Sequence, residues 1–127
     1  MLVNFEKAKD ILQEGDILLF RGSGLISFLI QRYTGGLHSH VALASKNKDT
    51  WMCVEFREFK GGRSVSLQSQ VKDNPTNIDV FRPVNSISYQ EMLEDGTIRN
   101  VDKNYTPDIA TAMTGDIIKW TGQPYGW

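Results

Sequence analysis

Both histidines of the chain, His38 and His40, stand one residue apart in "GGLHSHVALA", residues 35 to 44. Side chains two apart on an extended strand point the same way, so the two imidazoles are expected to share a face. The same rule groups Trp51, Cys53 and Glu55 on the next apolar run, "TWMCVEFRE". Between the runs, "KNKD" has the composition and length of a hairpin turn. Counting outward from residues 46 and 49 sets His40 opposite Glu55, with room for a slip of one or two residues. A carboxylate beside an imidazole fixes its tautomer and supports its protonated form, which a general base requires. The same two residues would also serve as a plain cross-strand polar pair that only stabilises the sheet.

Two further chemistries compete for these residues. His38, His40 and Glu55 together make a two-histidine, one-carboxylate set of the kind that holds a metal ion. Against it, His38 at the start of a strand is served as well by solvent, and no third histidine exists; no metal and no cofactor is expected. Cys53 is the chain's sole cysteine. A nucleophilic thiol needs a helix N-terminus or a nearby cation to lower its pKa. Cys53 instead lies mid-strand two residues from Glu55, so a small buried hydrophobe is the expected role. "FRGSG" and the glycines at 35 and 36 match neither phosphate-loop pattern and read as turns.

The composition narrows the partners. Fourteen Lys and Arg against fifteen Asp and Glu give a formal charge of −1, with the cations scattered rather than striped. No nucleic-acid footprint stands out. A lone cysteine excludes an internal disulfide and a paired-cysteine metal site. The first sixteen residues carry acids and no apolar run, so they do not read as a signal peptide, and a cytoplasmic protein or one released by another route is expected. "GLISFLI" is too short to cross a bilayer. The length suits one domain over residues 1–127.

The elements that must hold these residues follow from periodicity. "NFEKAKDILQ" sets Phe5, Ala8, Ile11 and Leu12 on one helical face behind Asn4 as N-cap. "ILLFR" reads as a buried strand. "LISFLIQRYT" reads as a helix closed by Gly35 and Gly36; being apolar nearly all round, it is expected to be packed. After the two central strands, "RSVSLQSQV" alternates weakly as a strand. "NIDVFRPV" is another, stopped by Pro83. Residues 86–103 read as loosely helical around "YQEML" and then loop-like. "TPDIATAMTGDIIKW" is a helix with Thr106 as N-cap and Pro107 at its first position. Its apolar face is expected to carry Ile109, Ala112, Met113, Ile117 and Trp120, with a break open at Gly115. The pattern is α+β, an antiparallel sheet packed against helices on one side.

Taken in order, "EGDILLFRGSGLISFLIQRYTGGLHSHVALA", "VEFRE", "IDVFRP" and "GQPYGW" resemble the circularly permuted papain-like branch of the NlpC/P60 superfamily, over roughly residues 14–127. The resemblance implies thiol-dependent cleavage of an amide or ester, with a cell-wall peptide as the favoured substrate and lipid acyl groups next, in a bacterial or phage setting. It carries the catalytic histidine onto His40 and its acidic partner onto Glu55. Arg21, Ser23 and Tyr125 are expected near the cleft as substrate contacts. In such proteins the nucleophilic cysteine follows "G.PY" at the start of a helix, where the helix field favours a thiolate. Cys53 is not at that position. The expectation is therefore a domain without its nucleophile-bearing segment, or a non-catalytic peptide-binding or assembly module of the same fold. Tyr125 and Trp127 are expected to want a packing partner near that end.

Overall fold

The computed structural model describes residues 3–73, 77–83 and 86–124. Four helices and seven strands follow in the order α1 (Phe5–Ile11), β1 (Ile17–Phe20), α2 (Leu25–Thr34), β2 (His40–Asn47), β3 (Thr50–Arg57), β4 (Gly61–Ser66), α3 (Leu67–Asp73), β5 (Ile78–Phe81), β6 (Ser86–Met92), β7 (Ile98–Asn104) and α4 (Pro107–Lys119). Five strands form one sheet in the order β4-β3-β2-β1-β5, and β6 and β7 form a separate hairpin. Every strand pair is antiparallel, so the chain is α+β.

Alternation along the strands sorts the sheet into two faces. Leu18, Phe20, Ala42, Ala44, Trp51 and Cys53 form the core face, with Leu67 buried among them. Phe5 and Leu12 from the α1 segment and Val71 of α3 pack onto it. Trp51 ties the layers together by donating its indole N–H to the Lys9 carbonyl of α1 at 3.0 Å. On the other face α4 packs against β2, β3 and β4, where Val54, Leu43 and Ser45 are buried. Helices therefore cover both faces, not one side as the sequence suggested.

Several local expectations hold. Asn4 caps α1 by accepting from the Lys7 N–H. Thr106 caps α4, with Pro107 starting the helix and Asp108 in its first turn. Gly35 ends α2 in the left-handed region at φ 69°, a conformation that costs glycine little.

Four expectations are corrected. "RSVSLQSQV" is strand only to Ser66; Leu67 opens α3, so that Leu67 and Gln70, three apart, both turn inward. Residues 86–104 form the β6–β7 hairpin instead of a loose helix. Asp95 and Gly96 turn the chain there, Gly96 at φ 83°, and the Asp95 carboxylate accepts from the Thr97 N–H. Helix α4 runs through Gly115 unbroken, and Ala110 and Thr114 are its buried residues, whereas Trp120 and Ile109 are exposed. The Thr114 hydroxyl donates to Glu14 as well as to the Ala110 carbonyl, which turns this polar residue inward. Finally, no residue of α2 is buried, although its apolar sequence asked for packing.

Candidate active site

The β2–β3 hairpin closes on two residues, Lys48 and Asp49, rather than four: Asn47 pairs with Thr50 and Leu43 with Val54. Lys48 takes φ 53° to make the turn. The register is thus two residues off the counted one, and by continuation Ala42 sits opposite Glu55. An even slip preserves the face. His40 becomes the diagonal neighbour of Glu55, within reach for long side chains. The two meet beside Ala42: His40 Nε2 lies 2.5 Å from Glu55 Oε2.

Glu55 is held from both sides. The residue directly across on β4 is Arg63, which donates through Nε to Oε1 at 2.6 Å and also pairs through its terminal nitrogen. Arg57 adds a longer contact to the same oxygen at 3.8 Å. The carboxylate divides its work, Oε1 for the arginines and Oε2 for the imidazole. Its side chain has no solvent exposure, and that of His40 retains 14%. Burial pushes the Glu55 carboxyl up, but hydrogen bonds from His40 and Arg63 outweigh it and leave it below the ordinary glutamate value. Glu55 is therefore ionised at neutral pH. The His40 ring also rests on Phe20, its cross-strand partner, with centroids 5.5 Å apart. With Nε2 committed to Glu55, Nδ1 is the ring nitrogen left to exchange a proton with a reacting group.

His38 goes elsewhere. Strand β2 starts at His40, so the two-residue alternation does not extend back to His38, and the expected shared face is not formed. His38 Nε2 lies 2.6 Å from Asp79 Oδ2 on β5, and its ring meets Phe81 edge-on. Arg21 binds the same carboxylate oxygen of Asp79 through Nε at 2.8 Å. Each histidine has its own carboxylate, and among the described residues no group of three His, Cys, Asp or Glu is arranged to hold a metal ion. The arrangement His38, His40 and Glu55 as one metal site is corrected accordingly.

The remaining sequence candidates separate. Arg21 belongs to the Asp79 cluster, and Ser23 is exposed just ahead of α2. Tyr125 lies outside the described residues. Cys53 is fully buried. Burial and then the nearby Glu55 charge push its thiol up to about 12, and its sulfur sits 3.9 Å from Glu55 Oε2. A thiol so placed is protonated at neutral pH and has no path to a substrate.

Two arginines escaped the sequence reading. Arg63 would have been found by extending the hairpin count one strand further, from Glu55 across to β4. Arg82 forms a fork on the buried Asp16, with both contacts at 2.8 Å, and reaches the Ile11 carbonyl as well. Asp16 also accepts from the Gln13 N–H. This fork joins the entry of β1 to the exit of β5. It gives "GDI" and "FRP" a structural role, since buried carboxylates persist only when paired.

Compared with known protein families and with curated proteins, the chain matches none.

Proposed function

We propose that His40 and Glu55 are the base and its orienting partner in a thiol-dependent amide or ester hydrolase of the permuted papain-like, NlpC/P60 type. The observation that carries this reading is the 2.5 Å contact between His40 Nε2 and a fully buried, ionised Glu55. Glu55 fixes the imidazole so that Nδ1 accepts the proton of an incoming thiol. The thiolate then attacks the substrate carbonyl, and the imidazolium returns the proton to the departing amine or alcohol. Water, deprotonated by the same nitrogen, cleaves the thioester and frees the thiol. The thiol comes from outside these 127 residues, because Cys53 is sealed in the core. A cell-wall peptide is the substrate class favoured by the motif order, and an acyl ester is the next.

A second reading, a non-catalytic peptide-binding or assembly module of this fold, is favoured by the inert state of Cys53. The two part at the reading frame beyond the Trp127 codon. A cysteine encoded within one short loop and helix start favours the hydrolase; a stop codon favours the module. In a polypeptide that carries such a cysteine, His40→Ala should lower kcat by about 10²–10⁴-fold with the fold retained. Undiminished turnover would remove His40 as base. The 127-residue chain alone should show no turnover of peptide or ester substrates, and turnover abolished by Cys53→Ser would overturn the assignment of that thiol.

A further inference from the structure

The two edges of the five-stranded sheet end differently. At β4 the chain covers its own edge. After α4 it returns along the strand, where Gly62 donates its N–H to the Gln123 carbonyl at 2.9 Å and Gly122 donates to the Gly62 carbonyl at 2.7 Å. A Cβ on Gly61 or Gly62 would strike the backbone that passes there. At β5 no further strand follows among the described residues. The hydrogen-bond phase shows which groups this leaves open. The Arg21 N–H donates to the Asn77 carbonyl. With Leu19 opposite Asp79 and Ile17 opposite Phe81, residues 77, 79 and 81 therefore face β1. Ile78 and Val80 turn their N–H and C=O groups outward. Open edges are normally blunted by lysine, proline or a free charge. The one charge in β5 is Asp79, and Arg21 and His38 hold its carboxylate.

A cavity of about 860 Å³ runs along this same edge. Its lining takes Ile78 and Val80 from one face of β5 and Asp79 and Phe81 from the other, so it follows the outer side of the strand. Its inner wall is apolar, with Phe5 of α1, Leu18 of β1 and Val71 of α3. Two features fix the occupant. Outward N–H and C=O groups repeating along an edge are satisfied in series by another extended backbone. The apolar wall asks that backbone for apolar side chains at every second residue. A second copy meets the first demand and not the second, because its own Ile78 and Val80 already face its own cavity. A free peptide arrives with both faces bare.

We propose that β5 receives an extended peptide as a sixth strand, with apolar side chains at alternate positions set into the cavity between β5, α1 and α3. This stands apart from the hydrolase reading, since it needs neither His40 nor a thiol. The test is an amide NMR titration of the 127-residue chain with a capped peptide that alternates valine and threonine between terminal lysines. The Ile78 and Val80 amides should shift most, and those of α2 and β4 should stay in place. Serine in place of the valines should weaken binding about tenfold or more, the loss of at least one buried apolar side chain. Val80→Pro removes an outward N–H and leaves the Asp79 and Phe81 bonds to β1, a position where an edge strand tolerates proline. Binding should be lost while the circular dichroism spectrum stays unchanged. The same peptide methylated on every backbone nitrogen repeats the test without altering the protein, and it should cause no shifts; it decides the matter if the proline variant unfolds. No shift at β5 with millimolar peptide overturns the proposal, as does binding undiminished by the methylation. So does a concentration-dependent dimer in sedimentation velocity that Val80→Pro dissolves, which would make β5 a joint between copies.

Discussion

The molecule contains two histidine–carboxylate pairs of nearly equal length, and they differ in almost everything else. His40–Glu55 joins neighbouring strands on the core face at 2.5 Å; His38–Asp79 spans from the approach to β2 to the edge strand β5 at 2.6 Å. Glu55 has no exposed surface, whereas the side chains of His38 and Asp79 keep 27% and 31% of theirs. Both carboxyls are pulled below their ordinary values, but for different balances of reasons. At Asp79 the His38 and Arg21 hydrogen bonds act against little burial; at Glu55 the His40 and Arg63 bonds must overcome a large burial penalty. Equal distance therefore conceals unequal stakes. A water molecule can replace either partner of the exposed pair, and nothing can replace Glu55.

The largest expected effect follows from that inequality. Glu55→Ala strips Arg63 of its partner and leaves His40 facing a cavity. Removing one member of a fully buried ion pair costs about 3–5 kcal/mol. Arg63 keeps 21% exposure, and rehydration there should reduce the loss to about 2–3 kcal/mol. Urea denaturation of the variant and the parent chain measures it. A loss below about 1 kcal/mol would place Glu55 in the same class as an exposed pair.

What the sequence disclosed depended on whether the deciding contact was local. Caps, the Gly35 terminus and the face of β3 follow from nearest neighbours, so Asn4 and Thr106 were placed correctly and Glu55 was put on the face it shares with His40, though not at the right register. The hairpin count missed the turn by two residues, because Lys48 adopts a left-handed conformation that glycine or asparagine usually signals. The even slip spared the His40–Glu55 contact by parity alone. The partners of His38 were invisible for another reason: Asp79 lies 41 residues away, on a strand whose place beside β1 no local pattern encodes. Helix α2 misled through its composition, since apolar residues promise burial without saying against what.

A smaller, pH-dependent effect sharpens the contrast. The Glu55 carboxyl is depressed in the folded chain, so its ionised pairing stabilises fully above the unfolded glutamate value of about 4.3. That contribution fades as pH falls through the lower folded value. The stability gap between the parent chain and Glu55→Gln should therefore hold above about pH 4.3 and narrow as pH falls below it, until the parent's carboxyl becomes neutral like the amide below its depressed folded value. A gap that stays constant across this range would mean that packing, not charge, sets the worth of residue 55.

The smallest effect belongs to the outer pair. Asp79→Asn keeps the shape of the side chain and can still accept from Arg21 or His38, so only the charge is lost. Exposed ion pairs contribute roughly 0–1 kcal/mol, and the cost here should fall within that range. It should vanish near 1 M salt, where the screening length drops to about 3 Å. The Glu55 variants should respond far less to salt, because solvent ions do not reach a carboxylate without exposed surface. If Asp79→Asn instead cost as much as Glu55→Ala and ignored salt, exposure would not be what separates the pairs. The cluster of Arg21, His38 and Asp79 would then be a second rigid polar centre rather than a solvated edge.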